Sequence, residues 1–227
     1  MANLPGMGSA KCSKKFAVIT CDVVNSRQHT QEKLLEVIHR CLEDTNRKFA
    51  SALMRDFRIV LGDMIQVVCF QKRPAYDIYQ WLEELLHLEG EFHLGRPVLI
   101  RCGIGIGKID NPKAPIEEMS GESFSYAAES LEILKREKDS SCVAVRWKDK
   151  DFSEFVSSAL GVAQALKNRW DTRTRKIVLL ARERNTQTQI ANRLKLSRNQ
   201  VKTALEMADF KKLRRFEKNI AKILGGI

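Results

Sequence analysis

For its first two thirds the chain switches between short apolar runs and longer amphipathic stretches, and after that only helical spacing remains. Phe16-Ala-Val-Ile-Thr-Cys21 is a β-branched apolar run that reads as a buried strand ending at Asp22. Leu34, Leu35, Ile38, Leu42 and Phe49 follow at helical spacing and predict a helix from about Gln31 to Leu53. Two further runs, Phe57–Leu61 and Ile65–Phe70, flank Gly62-Asp63-Met64, the pattern of a hairpin with a glycine-bearing turn. Pro74 opens a second helix carrying Ile78, Trp81, Leu82, Leu85 and Leu86. Period-two alternation over roughly Pro97–Ile109 predicts a long strand, Ser123–Arg136 a helix and Cys142–Trp147 a last strand.

That order predicts an α+β domain with helices on one face of a mostly antiparallel sheet, close to the split β-α-β ferredoxin-like plan. From Phe152 onward no strand pattern survives. The organisation expected is a flexible arm over 1–14, a sheet domain over 15–150, a connecting helix over 151–169 and an all-α domain over 170–227.

Composition adds a direction to this picture. With 44% hydrophobic and 30% charged residues among 227, the chain can build a core, which excludes wholesale disorder and fibrous repeats. The net charge of +11 is unevenly spread: residues 167–227 hold 17 Lys and Arg against 5 Asp and Glu, leaving 22 against 23 for residues 1–166. A neutral body with a basic C-terminal piece points to a polyanionic partner, with a solvated basic helix face as the plainer alternative. The six cysteines show no C-x-x-C and no metal-ligand spacing, and most sit in apolar runs as free buried thiols do. No stretch is long and apolar enough for a membrane span, and Asp22 stops the first apolar run. A reduced, cytoplasmic protein without membrane contact is expected.

Two acids interrupt apolar surroundings: Asp22 after the first strand and Asp63 in the hairpin. In a ferredoxin-like sheet these strands are central neighbours, so both carboxylates would reach one end and could share Mg²⁺ or Mn²⁺, completed by water and phosphate. Asn25-Ser26-Arg27 precedes a helix N-terminus, where backbone N–H groups and a guanidinium favour phosphate. The plainer alternative is that both aspartates, Asp63 especially, are ordinary turn residues.

The strings Cys21-Asp22-Val23-Val24-Asn25-Ser26-Arg27, Leu61-Gly62-Asp63-Met64-Ile65-Gln66, Arg101-Cys102-Gly103-Ile104-Gly105-Ile106-Gly107 and Gly121-Glu122-Ser123-Phe124-Ser125-Tyr126-Ala127-Ala128-Glu129 resemble the SatD family in order and spacing. The resemblance implies a palm domain like that of class III nucleotide cyclases and GGDEF proteins, followed by a helix-turn-helix. It implies Asp22 and Asp63 as metal ligands, the Val23 carbonyl as a third, a purine nucleotide near Gly62 and Gln66, and close backbone packing along Gly103–Gly107. The chain departs from the cyclase pattern at three positions: Ser125 and Glu129 stand where cyclases carry asparagine and arginine, and Ile59 where they carry the purine-reading lysine. An anionic Glu129 is the wrong charge to neutralise a pentavalent phosphorus, so nucleotide binding is favoured over catalysis. A metal-dependent cyclase, polymerase or nucleotide hydrolase is the alternative.

In the basic tail, Ile190, Ala191, Leu194, Leu196, Val201 and Leu205 give two short helices joined at Lys195–Ser197, with capping-box spacing at Thr186/Gln189 and Ser197/Gln200. Lys195 takes the place of the glycine frequent in such turns. Arg198, Asn199, Lys202 and Thr203 then face outward to read double-stranded DNA, while Lys211, Lys212, Arg214 and Arg215 contact phosphates; a three-helix bundle used only for packing or dimerisation is the alternative. A module this small is expected to act as a homodimer.

Overall fold

β1 (Phe16–Val23) is apolar on both sides, and the rest of the sheet is arranged around it. Ala17, Ile19, Cys21 and Val23 enter a large core shared with α1 (Gln31–Phe49) and α2 (Ala75–Leu94), whereas Phe16 and Val18 face a smaller core containing Ile109, Ile116, Met119 and Ala127. The computed structural model describes residues 14–24, 26, 31–137 and 142–227, so the expected N-terminal arm lies outside them apart from Lys14.

The sheet runs β2 (Leu53–Leu61), β3 (Met64–Cys69), β1, β4 (Ile100–Gly107), β5 (Cys142–Arg146). All neighbours are antiparallel except β4 and β5, which are parallel. The order of the first four strands is that of the ferredoxin-like plan, and the fold is α+β as the pattern of runs predicts. Helices do not keep to one face, however. α3 (Glu122–Glu137) lies over β4, β1 and β5 on the face opposite α1 and α2. The unbroken run Phe16–Cys21 is what such two-sided burial requires.

α3 can lie there because β4 offers it no side chains at three alternate positions. A Cβ on Gly103 would stand 2.0 Å from the Ala127 carbonyl oxygen, one on Gly105 2.0 Å from that of Ser123, and one on Gly107 2.6 Å from Glu122 Cβ. Helix and strand backbones are therefore in direct contact.

Two boundaries differ from the sequence reading for local reasons. α1 stops at Phe49 rather than Leu53, and β2 begins at Leu53 rather than Phe57; the Asn46 carboxamide accepts from Phe57 N–H (2.8 Å) and donates to its carbonyl (3.3 Å), giving β2 a partner where its register with β3 shifts. The thiols also need correcting. Cys21 and Cys102 face each other across β1 and β4 with Cα atoms 4.2 Å apart and are paired as a disulfide, whereas Cys41 and Cys69 are free and buried, and Cys142 is buried.

After β5 the chain is helical: α4 (Lys150–Lys167), α5 (Thr172–Arg182), α6 (Gln187–Leu194), α7 (Arg198–Met207) and α8 (Phe210–Gly226). α4 runs along the outer edge of β5, where the Ser157 hydroxyl accepts from Val145 N–H (2.9 Å) and donates to its carbonyl (3.0 Å), and Ser153 accepts from Trp147 N–H (3.1 Å). These bonds occupy backbone groups that would otherwise pair with another chain. Ile177, Leu180, Ile190, Ala191 and Val201 close a separate small core among α5, α6 and α7, while Ile220 and Leu224 of α8 return to the large core.

The C-terminal helices are held by charge. Glu83 and Glu84 of α2 are buried, and cations from two other helices meet them: Lys167 bonds Glu83 and lies 3.3 Å from Glu84, Arg175 reaches Glu83 (3.2 Å) and Glu84 (2.9 Å), and Arg182 reaches Glu84 (3.3 Å). Arg182 also bonds Glu217 of α8 (2.6 Å) and Gln80 of α2 (2.8 Å). The three carboxylates and three cations are balanced, as burial demands. Burial disfavours the charged form of Glu83, but Lys167 and Arg175 overcome it and hold the carboxyl down at about 2.

Two outcomes follow. Gly105→Ala will destabilise the fold by about 3 kcal/mol through backbone collision, measured by urea unfolding, whereas Gly161→Ala, whose Cβ meets nothing within 4 Å, will not. Because Glu83 is held below its ordinary value of 4.5, its contribution is complete above that pH and disappears as pH falls toward about 2. Stability measured across that window will fall with acid, and Glu83→Gln will flatten the slope while lowering stability at pH 7.

Candidate functional site

Asp22 is the penultimate residue of β1 and stands opposite Met64 of β3 and Arg101 of β4. Asp63 immediately precedes Met64 in the hairpin turn, where Gly62 adopts the left-handed φ of 59°. Strand register thus brings the Asp22 and Asp63 backbones to the same end of the sheet. Asp63 and Asp22 are both half-buried, with Val23 buried beside Asp22.

Asp22 is not bare. Its Oδ1 lies 3.3 Å from Lys135 Nζ at the end of α3, and its Oδ2 lies 3.8 Å from Arg101 Nη1. Nearby, Gln66 donates to the Thr20 hydroxyl at 2.9 Å. Ser26 is half-buried. Asn25 and Arg27 lie outside the described residues.

Among the described residues no group of three or more His, Cys, Asp or Glu could hold a metal ion. Two carboxylates and a backbone carbonyl nevertheless suit magnesium, which keeps several waters and takes phosphate oxygens as ligands. What the sequence reading missed is the compensating pair of cations. Arg101 carried a faint signal as the one charge in Ile100–Gly107, whereas nothing in the spacing of α3 distinguished Lys135. At the cyclase-pattern positions, the Glu129 carboxylate lies 2.7 Å from Arg146 Nε, Ser125 is exposed and Ile59 is half-buried.

The α6–α7 pair shows the caps that its sequence predicts. Thr186 and Gln189, and likewise Ser197 and Gln200, each bond the other's backbone N–H, so both helix starts satisfy two donors. Lys195 ends α6 at φ 54°, ψ 47°, the conformation for which glycine is favoured. Val201 of α7 is buried, and Arg198, Asn199, Lys202 and Thr203 are exposed. Lys202 lies 3.8 Å from Glu206.

On α8 the basic residues divide. Lys211 and Arg215 are exposed, Lys212 is exposed and 2.8 Å from Asp209, and half-buried Arg214 sits 2.5 Å from Glu217 and 3.9 Å from Asp77. Arg214 therefore borders the buried charge cluster. Lys167, Arg175 and Arg182 lie wholly within it, so part of the C-terminal charge excess faces inward. Setting aside these three cations and Glu217 leaves 14 basic against 4 acidic residues in 167–227. The surface remains strongly basic.

A four-stranded ferredoxin-like order with a fifth parallel strand, glycines under α3, two acids at one sheet end and a helical C-terminal part define an α+β protein built around a polar strand end. The sequence model of the SatD family matches residues 16–224, and the chain belongs to the SatD family. No curated protein matches it. No helix among the described residues is long and apolar enough to cross a membrane.

The turn between α6 and α7 yields a direct test. Replacing Lys195 with glycine removes the Cβ penalty of the left-handed region at a modest entropic cost, so Lys195→Gly will stabilise the fold by about 1 kcal/mol, read as a rise in Tm.

Proposed function

We propose that this protein is a DNA-binding regulator that takes a divalent metal and a nucleotide at the end of β1 and binds double-stranded DNA through α6 and α7 as a helix-turn-helix. The observation that carries the reading is the division of α7: Val201 is buried against α5 and α6, while Arg198, Asn199, Lys202 and Thr203 stand exposed beside a basic surface. Arginine and asparagine there can pair with guanine and adenine edges. Lys211, Lys212, Arg214 and Arg215 contact phosphates and fix orientation, with Arg214 contributing least because Glu217 already engages it.

At the strand end, Asp22, Asp63 and the Val23 carbonyl hold the metal, and Asn25, Ser26, Arg27, Gly62 and Gln66 surround the nucleotide. The metal supplies charge neutralisation for phosphate oxygens. Lys135 and Arg101 neutralise Asp22 without it, and face phosphates once a cation takes over the carboxylate. Catalysis is not favoured: the acid at Glu129 stands against Arg146 where a cyclase needs a free cation.

Fluorescence anisotropy with labelled duplexes and calorimetry with a panel of nucleotides plus Mg²⁺ test the two halves separately. Arg198→Ala will weaken DNA binding at least tenfold and spare nucleotide binding, and Asp63→Asn will do the reverse. DNA affinity will fall with salt at a log–log slope of about −0.9 per phosphate contacted. A cyclic or linear product formed from an NTP with Mg²⁺ or Mn²⁺, and lost in Asp22→Asn, would replace this reading with an enzymatic one.

A further inference from the structure

α4 buries one side, and among the described residues its other side stays largely exposed, with Phe152 edge-on to Trp147. Ser153, Val156, Leu160, Ala163, Gln164 and Lys167 face inward. On the outer side Phe152, Phe155, Val162 and Leu166 are 41%, 67%, 65% and 41% exposed, with half-buried Ala159 between them. Their positions run 152, 155, 159, 162, 166, alternating steps of three and four over a helix about 27 Å long. This is a heptad seam, the pattern a helix carries to meet another helix rather than water.

We infer that this seam pairs with the same seam of a second copy, antiparallel, about a two-fold axis passing at Ala159. The homodimer expected from the sequence rests on general geometry; this inference supplies its surface and would stand without the DNA or nucleotide sites.

The antiparallel choice comes from shape and charge. The bulky residues lie at one end of the seam, Phe152 and Phe155, and the aliphatic ones at the other, Val162 and Leu166. Antiparallel pairing sets each aromatic against an aliphatic residue, and the small Ala159 lets the helices approach at the crossing; parallel pairing would set the four phenylalanines together. Charge agrees. At the N-terminal end exposed Asp149, Asp151 and Glu154 outnumber exposed Lys148 and Lys150 by one, whereas exposed Arg169 follows the C-terminal end. An antiparallel pair brings Asp151 of each copy near Arg169 of the other and opposes the helix dipoles favourably. An isologous arrangement of this kind closes at two copies.

Sedimentation equilibrium of the full chain, free of DNA and nucleotide, tests the inference. A species of twice 25.9 kDa is expected. Phe155→Glu will weaken the dimer at least tenfold with an unchanged circular dichroism spectrum. Adding Val162→Lys to the same chain will restore the dimer, because in the antiparallel pair each new acid meets a new base. Under mild oxidation Ala159→Cys will crosslink to its own copy far more than the wild-type chain does. The inference is overturned by a wild-type monomer throughout the micromolar range, by a dimer indifferent to Phe155→Glu, by failure of the double variant to restore it, or by absence of the Ala159→Cys crosslink. A monomer that instead binds anionic vesicles through Phe155 would also overturn it. None of these results bears on DNA or nucleotide affinity, so loss of the dimer surface and failure of the functional reading are separately visible.

Discussion

Two neighbouring glutamates on one buried helix constrain the arrangement of half the molecule. Glu83 and Glu84 can remain charged away from water only if cations are delivered to them at bonding distance. Those cations come from the end of α4 and from two positions two turns apart on α5, and Arg182 passes the requirement on to Glu217 of α8. A shift of any of these helices by one residue would strand a buried charge, at a cost of about 3–5 kcal/mol. Apolar packing alone would tolerate such slips far better. The charges therefore give the C-terminal helices a definite position on the sheet domain rather than a large gain in stability.

The second constraint acts on the opposite face. Three glycines let the α3 backbone rest on β4, so the height of α3 above the sheet is set by van der Waals contact between the two backbones. Lys135 lies on the last turns of that helix, and its reach to Asp22 follows from this height together with the β1/β4 register. The polar strand end is thus held from both sides, by the hairpin carrying Asp63 and by a helix that cannot rise.

Much of this was legible from residue patterns, and the remainder was not for definite reasons. Strand order and the convergence of Asp22 and Asp63 follow from runs separated by a helix or a hairpin, because split β-α-β chains have few ways to pair. The capping boxes at Thr186 and Ser197 were legible because they are local. The charge cluster was not: Glu83, Lys167, Arg175 and Glu217 each resemble an ordinary solvated helix residue, and only their meeting distinguishes them. The same holds for Lys135. The cysteine pair was hidden by distance along the chain, since 81 residues separate Cys21 from Cys102 and only register places them face to face. Helices on both sheet faces could have been expected, because Phe16–Cys21 shows no polar alternation.

These constraints bear on how a ligand at the strand end could matter elsewhere. Contacts run from Asp22 through Lys135 to α3, from α3 to β4 and β5, from β5 through Ser153 and Ser157 to α4, and from Lys167 into the cluster that seats α5. Continuity alone transmits nothing; a ligand shifts an equilibrium only by its unequal affinity for two arrangements. Most of this path offers no second arrangement, because glycine contacts and buried charges fix it. The exchangeable element is the partner set of Asp22, where one carboxylate can be neutralised by Lys135 and Arg101 or by an added cation, but not fully by both. If the chain responds to a ligand, the response starts with that exchange, and the end of α3 is the first element whose charge balance it changes.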